Sequence, residues 1–383
     1  MIKITQTTMC SGCSSCAQIC PKNCITMMPD TEGFSYPKID ESKCVNCGLC
    51  EKACPILSKN ELNQYNTVAY AAVNNDEKIR LLSSSGGVFT AIASSIVSRG
   101  GVVFGAAFDA DFNVVHRCVD RVKDIQLLRG SKYVQSKIGD TYRQAKEYLQ
   151  NGRIVYFSGT PCQVAGLYKY LGRVYDNLIT QDVVCHGVPS PLVWQKYLSS
   201  RKNFSIENLI SVSFRDKRHS WEKYQISIES DGDRIETEHS QDPYMKAFLY
   251  NLCLRPSCYD CAFKGVERKS DLTLADYWGI QNIHPELDDD KGVSLVLVNS
   301  SKGREMLESV IETIFIKPTD LGTAIKYNSA AVVSVKLPKT REKFMRDIQK
   351  QSFDRVVNRY AKDTLICQMR RFLAKIYHKV RGK

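Results

Sequence analysis

Cys10, Cys13, Cys16 and Cys20, the last followed by Pro21, repeat the spacing of Cys44, Cys47, Cys50 and Cys54, the last followed by Pro55. Each run reads C-x2-C-x2-C-x3-C-P. Three thiolates this close wrap one iron–sulfur cubane, while the fourth, turned away by its proline, reaches the cubane held mainly by the other run. The spacing predicts two 4Fe-4S clusters with crossed ligation: Cys10, Cys13, Cys16 and Cys54 on one, and Cys44, Cys47, Cys50 and Cys20 on the other. Zinc is the rival, but its ligands usually come as separated pairs around one tetrahedral ion. Cys24 lies outside both runs and reads as a small buried thiol. Such clusters pass single electrons and do no substrate chemistry, so the chain either holds a second redox centre or serves only as a relay.

A later group, Cys253, Cys258 and Cys261 in CLRPSCYDCAFKG, again has ligand-like spacing and suggests a third 4Fe-4S cluster, with a zinc knuckle as the rival. A cubane there needs one remote ligand. Cys185, before His186-Gly187, is the first candidate and Cys162 the second. Cys118 and Cys367 sit in apolar patterns and read as core, and His186 as a structural turn residue or a proton donor.

These residues need a scaffold. After a polar linker from Ser58 to Asn66, strand-like and helix-like runs alternate, which predicts an α/β domain with a mixed sheet behind a bacterial-ferredoxin-like domain. Strands are expected at Tyr65 to Val73, Val102 to Phe108, Val114 to Val119, Arg153 to Phe157 and Leu178 to Val184. Helices are expected at Val88 to Ser98, Ile138 to Gln150, Val164 to Tyr170 and Pro191 to Leu198. Three turns, at Ser83 to Gly87, Gly159 to Gln163 and Cys185 to Pro189, put small residues before a helix, where free amides can receive phosphate. The expected division is a two-cluster domain over 1–60, an α/β domain over 65–300 and a helical C-terminal extension over 301–383.

Composition narrows the class. With 43% apolar residues the chain is not disordered, and it is too long to depend on disulfides despite its 16 cysteines. The opening MIKITQTTMCSGCSSC has no apolar core before a small-residue cleavage site, which predicts a cytoplasmic location with reduced thiols. No run approaches 18 apolar residues. The net charge of +12 invites nucleic acid as a partner, but from Thr340 onward there are thirteen Lys or Arg against four Asp or Glu, so the first 339 residues carry only +3. Without a recognised binding module, nucleic acid is not expected. Leu365, Met369, Phe372, Leu373, Ile376 and Val380 share one face of a basic terminal helix, which predicts packing on its own domain or on a partner, or peripheral contact with anionic lipid.

Taken in order, the two ferredoxin runs, SSSGGVFTAIA, GSKYVQS, GTPCQVAGL, CHGVPSP, CLRPSCYDCAFKG and SDLTLADYWGI resemble the coenzyme F420 hydrogenase/dehydrogenase beta-subunit family with a fused ferredoxin domain. The resemblance covers roughly residues 1–300. It implies FAD in the α/β domain, a cluster near the flavin, and hydride exchange with the deazaflavin F420 or another organic partner. Carried over, it places FAD contacts on Ser85, Gly86, Gly87, Lys132, Tyr133, Gln135, Thr160 and Gln163, and catalytic roles on Lys264, Arg268 and Asp276, with Trp278 nearby. The expected function is that of an iron–sulfur flavoprotein oxidoreductase linking a ferredoxin-like carrier or redox partner protein to an organic substrate. The alternative is a non-catalytic relay subunit.

Overall fold

A computed structural model describes residues 2, 6–58, 65–201 and 205–362. In the N-terminal region a short helix, Ser15–Ile19, precedes a hairpin of β1 (Ile25–Pro29) and β2 (Ser35–Ile39), and a second short helix, Leu49–Lys52, carries Cys50 among the later cysteines. Both helices begin after a left-handed residue, Ser14 and Gly48, one position inside each cysteine run. That sharp entry lets successive thiols face the same side.

The α/β region is built on an eight-stranded sheet. Its strands are β3 (Val68–Asn74), β4 (Val102–Phe108), β5 (Val114–Val119), β6 (Val155–Ser158), β7 (Leu178–Val183), β11 (Leu272–Asp276), β12 (Ser294–Val298) and β13 (Ile314–Thr319), in the order β13-β3-β12-β11-β7-β6-β4-β5. The central four, β4, β6, β7 and β11, are parallel, and antiparallel strands complete both edges. Alternation along the strands divides the core between two faces. Val103, Ala107 and Tyr156 meet Val88, Ile92 and Ile96 of the Val88–Ser98 helix. Val102, Phe104, Val155 and Phe157 meet the Thr141–Gln150 and Pro161–Leu171 helices. Burial on both sides explains why these strands read as nearly continuous apolar runs.

A smaller antiparallel sheet of β8 (Leu209–Asp216), β9 (Gln225–Ser230) and β10 (Asp233–Glu238) interrupts the main sheet in sequence. Phe214, Ile226 and Ile228 pack there against Trp194, Tyr197, Tyr244 and the C-terminal Phe344, Val356 and Val357. The reading of 301–383 as a helical extension needs correction at its start. The β-branched and aromatic run Ile314-Phe315-Ile316 favours a strand, and β13 pairs with β3 at the sheet edge before the final helices. The predicted amphipathic helix, with its face of Leu365, Met369, Phe372, Leu373, Ile376 and Val380, lies outside the described residues, as does Cys367. No helix among the described residues is long and apolar enough to cross a membrane.

Candidate metal centres

The N-terminal cysteines form two nests. Burial, and after it the charges of Cys10, Cys54 and Cys50, pushes the Cys16 thiol up to about 12, and burial with Cys10 and Cys50 raises Cys54. Cys13, raised mainly by burial, also feels Cys16 and Cys10. Cys16, Cys50 and Cys54 pack in one buried cluster, with Cys10 in electrostatic reach of Cys16 and Cys54 and Cys13 in reach of Cys10 and Cys16. On the other side of the region, Cys20, Cys44, Cys47 and Cys50 line one small cavity. Cys24 is buried on the same cavity, its sulfur 3.3 Å from that of Cys20. Burial makes the bare thiols of Cys13, Cys16 and Cys54 resist ionisation, whereas a metal-rich core bound among them favours thiolates.

The third nest differs from its expected composition. Cys162, Cys185, Cys258 and Cys261 all line a cavity of about 270 Å³ at the boundary of the two regions, which Met9 and Ser11 close from the N-terminal side. Burial raises Cys162, Cys185 and Cys258 to about 12, and each of the three feels charges of the others or of Cys261. Topology makes this convergence. Cys162 and Cys185 follow β6 and β7, adjacent parallel strands whose carboxyl ends open on one edge, the usual ligand-binding edge of such sheets. Cys258 arrives beside them because the 253–258 segment is zipped along the loop after β7: Ser190 N–H donates to the Cys253 carbonyl at 2.8 Å and Arg255 N–H to the Val188 carbonyl at 3.0 Å.

Cys253, expected as a ligand, is not among the cavity residues. Its side chain is fully buried between Leu252 and Leu254 in the core around Trp194 and Phe248. The segment must hydrogen-bond edgewise to the loop, and that turns Cys253 inward and leaves the position to Cys162. No three His, Cys, Asp or Glu side chains among the described residues gather tightly enough to hold a single metal ion.

The residues expected to contact FAD come together only in part. Ser131 N–H donates to Ser84 Oγ at 2.7 Å, joining the SSSGG turn to the GSKYVQS segment. Gly86 is pressed against the sheet, where a Cβ would lie 2.2 Å from the Ala72 carbonyl oxygen, and Gly87 opens the Val88–Ser98 helix at φ +88°. The side chains are mostly engaged within the protein. Ser85 Oγ donates to the Val293 carbonyl, and Lys132 donates to the carbonyls of Leu127 and Arg129. Tyr133 stacks on Phe248 at 4.8 Å. Gln135 donates to the Ser11 carbonyl and accepts from Arg255. Thr160 and Gln163 make a capping box at the start of the Pro161–Leu171 helix, and Gln163 also donates to Ser136 Oγ. Lys132, Gln135 and Gln163 thus make these side-chain bonds within the protein.

Of the catalytic candidates, Lys264 and Arg268 line the third-nest cavity and Asp276 does not. Lys264, its ammonium lowered by burial, donates to the carbonyls of Cys185 and Ala330. Arg268 is buried beside Asp182, Nη1 to Oδ2 3.5 Å, and its Nε and Nη1 have no hydrogen-bond partner. Asp276 instead pairs with buried Arg215 at 3.1 Å and accepts from Trp221 Nε1. Arg215 is a residue sequence reasoning missed. Its guanidinium lies over Tyr224 and Trp278, reaches the Ser84 carbonyl, and has an Nε without a partner. Its place in a β-strand of mixed polarity gave no signal.

Known proteins resemble two stretches of the chain. Residues 9–56 match the 4Fe-4S dicluster domain. Residues 152–322, which contain Cys162, Cys185, Cys258 and Cys261, match the C-terminal part of the family described as Coenzyme F420 hydrogenase/dehydrogenase, beta subunit. The chain joins a 4Fe-4S dicluster domain to a domain of the F420 hydrogenase/dehydrogenase beta-subunit family. Two curated relatives are similar to short stretches of the chain. One is an uncharacterized polyferredoxin-like protein of Methanocaldococcus jannaschii, 37% identical over 68 residues, 15% of this chain and 40% of that protein. The other is a 7Fe ferredoxin of Hydrogenibacillus schlegelii, 40% identical over 43 residues, 11% of this chain and 49% of that one. The chain thus spans less than half the length of either. Among solved structures, a chain of the F420-reducing [NiFe] hydrogenase complex from Methanosarcina barkeri aligns over 71% of this chain and 90% of its own, at 17% identity and a TM-score of 0.49. The beta-subunit match extends through β13, past the boundary expected at residue 300.

Proposed function

We propose that the chain is an iron–sulfur flavoprotein oxidoreductase that passes electrons between a ferredoxin-like one-electron carrier and an organic hydride acceptor or donor. The observation that carries this reading is the cavity where Cys162, Cys185, Cys258 and Cys261 face Met9 and Ser11 of the dicluster domain. Four partly buried thiols from three segments fit a third 4Fe-4S cluster, and their place beside the first nest gives an electron a short way between the two domains. Cys13 of the first nest is an electrostatic neighbour of Cys162 of the third.

For FAD, the fit rests on the joined SSSGG and GSKYVQS segments and on Arg215, whose buried Nε would find an acceptor in a flavin or phosphate oxygen. Bound there, FAD supplies the exchange between one hydride and two single electrons. The roles of the chain's own residues follow from their chemistry. The cysteines hold the clusters, Arg215 orients an electron-rich ring or phosphate, and Lys264 and Arg268 keep positive charge beside the third nest, where added electrons are stabilised. The family match makes F420 the first organic partner to test, with a redox partner protein or ferredoxin as the other.

The relay reading is favoured by one observation, the internal engagement of Lys132, Gln135 and Gln163. Anaerobic purification with iron, sulfide and flavin analysis, followed by turnover of F420 with a reduced carrier, separates the two. About 12 iron atoms with one flavin per chain and turnover are expected; about 12 iron atoms without flavin or turnover leave a relay, and about 8 remove the third cluster.

A further inference from the structure

A fully buried arginine stands between the first nest and the third. Arg255 Nε donates to the Cys10 carbonyl at 2.7 Å, Nη1 to Gln135 Oε1 at 2.9 Å, and Nη2 to the Ser35 carbonyl at 3.0 Å. The guanidinium lies 4.3 Å from the centre of the Tyr36 ring. Its own backbone N–H is tied to Val188, three residues past Cys185. Gly12, between two first-nest cysteines, sits so close that a Cβ would be 2.8 Å from Arg255 Nη1, at a φ of +73°. One side chain thus holds the Cys10–Cys13 loop against the beta-subunit domain.

Its charge is as informative as its bonds. All three side-chain acceptors are neutral oxygens, and Arg255 has no exposed surface. A guanidinium buried this way is costly unless anions lie nearby. The cysteine-bearing segments surround it: Nε is bonded to the Cys10 carbonyl, Cys258 follows three residues later in the chain, and the Tyr36 phenol ring lies against the guanidinium.

We infer that Arg255 is the positioning residue of the electron route between the two domains, clamping the first cluster's loop beside the third nest and raising the reduction potentials of both clusters through its charge. This rests on the third-cluster reading above. A positive charge stabilises the reduced state, which carries one more electron, and the second cluster, on Cys20, Cys44, Cys47 and Cys50, lies outside its contacts and serves as an internal control.

The test is an EPR-monitored redox titration of the purified holoprotein and its Arg255→Gln and Arg255→Lys variants, with iron counted in each. For Arg255→Gln we expect the reduction equilibria of the first and third clusters to fall about tenfold, which is about 59 mV for one electron, with the second cluster unmoved. Arg255→Lys keeps the charge, so its potentials stay near the native ones. It loses the fork that ties Cys10 to Ser35, so the magnetic interaction between the first and third clusters weakens. Native potentials in Arg255→Gln with full iron overturn the inference. Should that variant not accumulate, unchanged magnetic interaction in Arg255→Lys overturns it. A native protein with about 8 irons overturns the third-cluster reading, and the inference with it.

Discussion

The two cysteine-bearing regions assemble their sites in opposite ways. In residues 9–56 every thiol of both nests comes from two short runs whose spacing already contains the geometry, and little more than a hairpin and two short helices support them. In the beta-subunit domain, Cys162, Cys185, Cys258 and Cys261 are spread over about a hundred residues and meet only because β6 and β7 run parallel and the 253–258 segment returns beside them. The first kind of site is written locally. The second depends on the whole sheet, and so on the fold's stability.

Four measurements sharpen or break that contrast. The largest effect is expected from Cys162→Ser, which removes the third cluster and about a third of the iron, whereas Cys253→Ser retains all of it; iron and sulfide analysis of the two variants reads this directly. Equal iron in both would return Cys253 to the site. Next is Gly166→Val. A Cβ at this position would lie 3.0 Å from Cys13 Sγ and 2.9 Å from Tyr142 Oη, so overpacking at the joint should cost about 1–3 kcal/mol in chemical unfolding and expose the dicluster domain to protease.

A third measurement concerns pH. His116, buried between Ser136 Oγ at Nδ1 and the Ser158 carbonyl at Nε2, is lowered by burial to about 4. Its unfolded value lies near 6.5, so the unfolded chain binds the extra proton first, and stability present above about pH 6.5 is lost as pH falls toward 4. Between about pH 7 and pH 5 this amounts to about 2 kcal/mol, and His116→Gln should flatten the slope in denaturant titrations. The smallest effect is expected for Gln18→Ala. Gln18 Oε1 accepts from the backbone N–H groups of Tyr142 and Arg143 at 3.0 and 3.2 Å, and its loss should cost about 1 kcal/mol in the same titrations.

The same contrast explains what could be read in advance. The helix over Val88–Ser98 and the strands over Val102–Phe108 and Val114–Val119 carry clear periodicity and lie where the pattern puts them. The third nest was only half legible. Spacing alone groups Cys253 with Cys258 and Cys261, yet the apolar neighbours Leu252 and Leu254 were a sign that Cys253 belongs to the core. Cys162 carried a signal too, since it occupies a strand-end turn like that of Cys185 on the neighbouring strand. Side-chain engagement was not legible at all. Nothing in the chain order says that Lys132 closes the carbonyls of Leu127 and Arg129, or that Gln135 reaches back to Ser11.

Gln18 has a consequence for how the protein is made. During synthesis it emerges 124 residues ahead of Tyr142, whose amide it covers, so the acceptor waits in an already translated segment for a helix still to come. Until Gln18 is in place the Tyr142 amide lacks this acceptor, whereas the Arg143 amide keeps the Asp140 carbonyl. One side chain from the beginning of the molecule thereby completes the start of a helix in its middle.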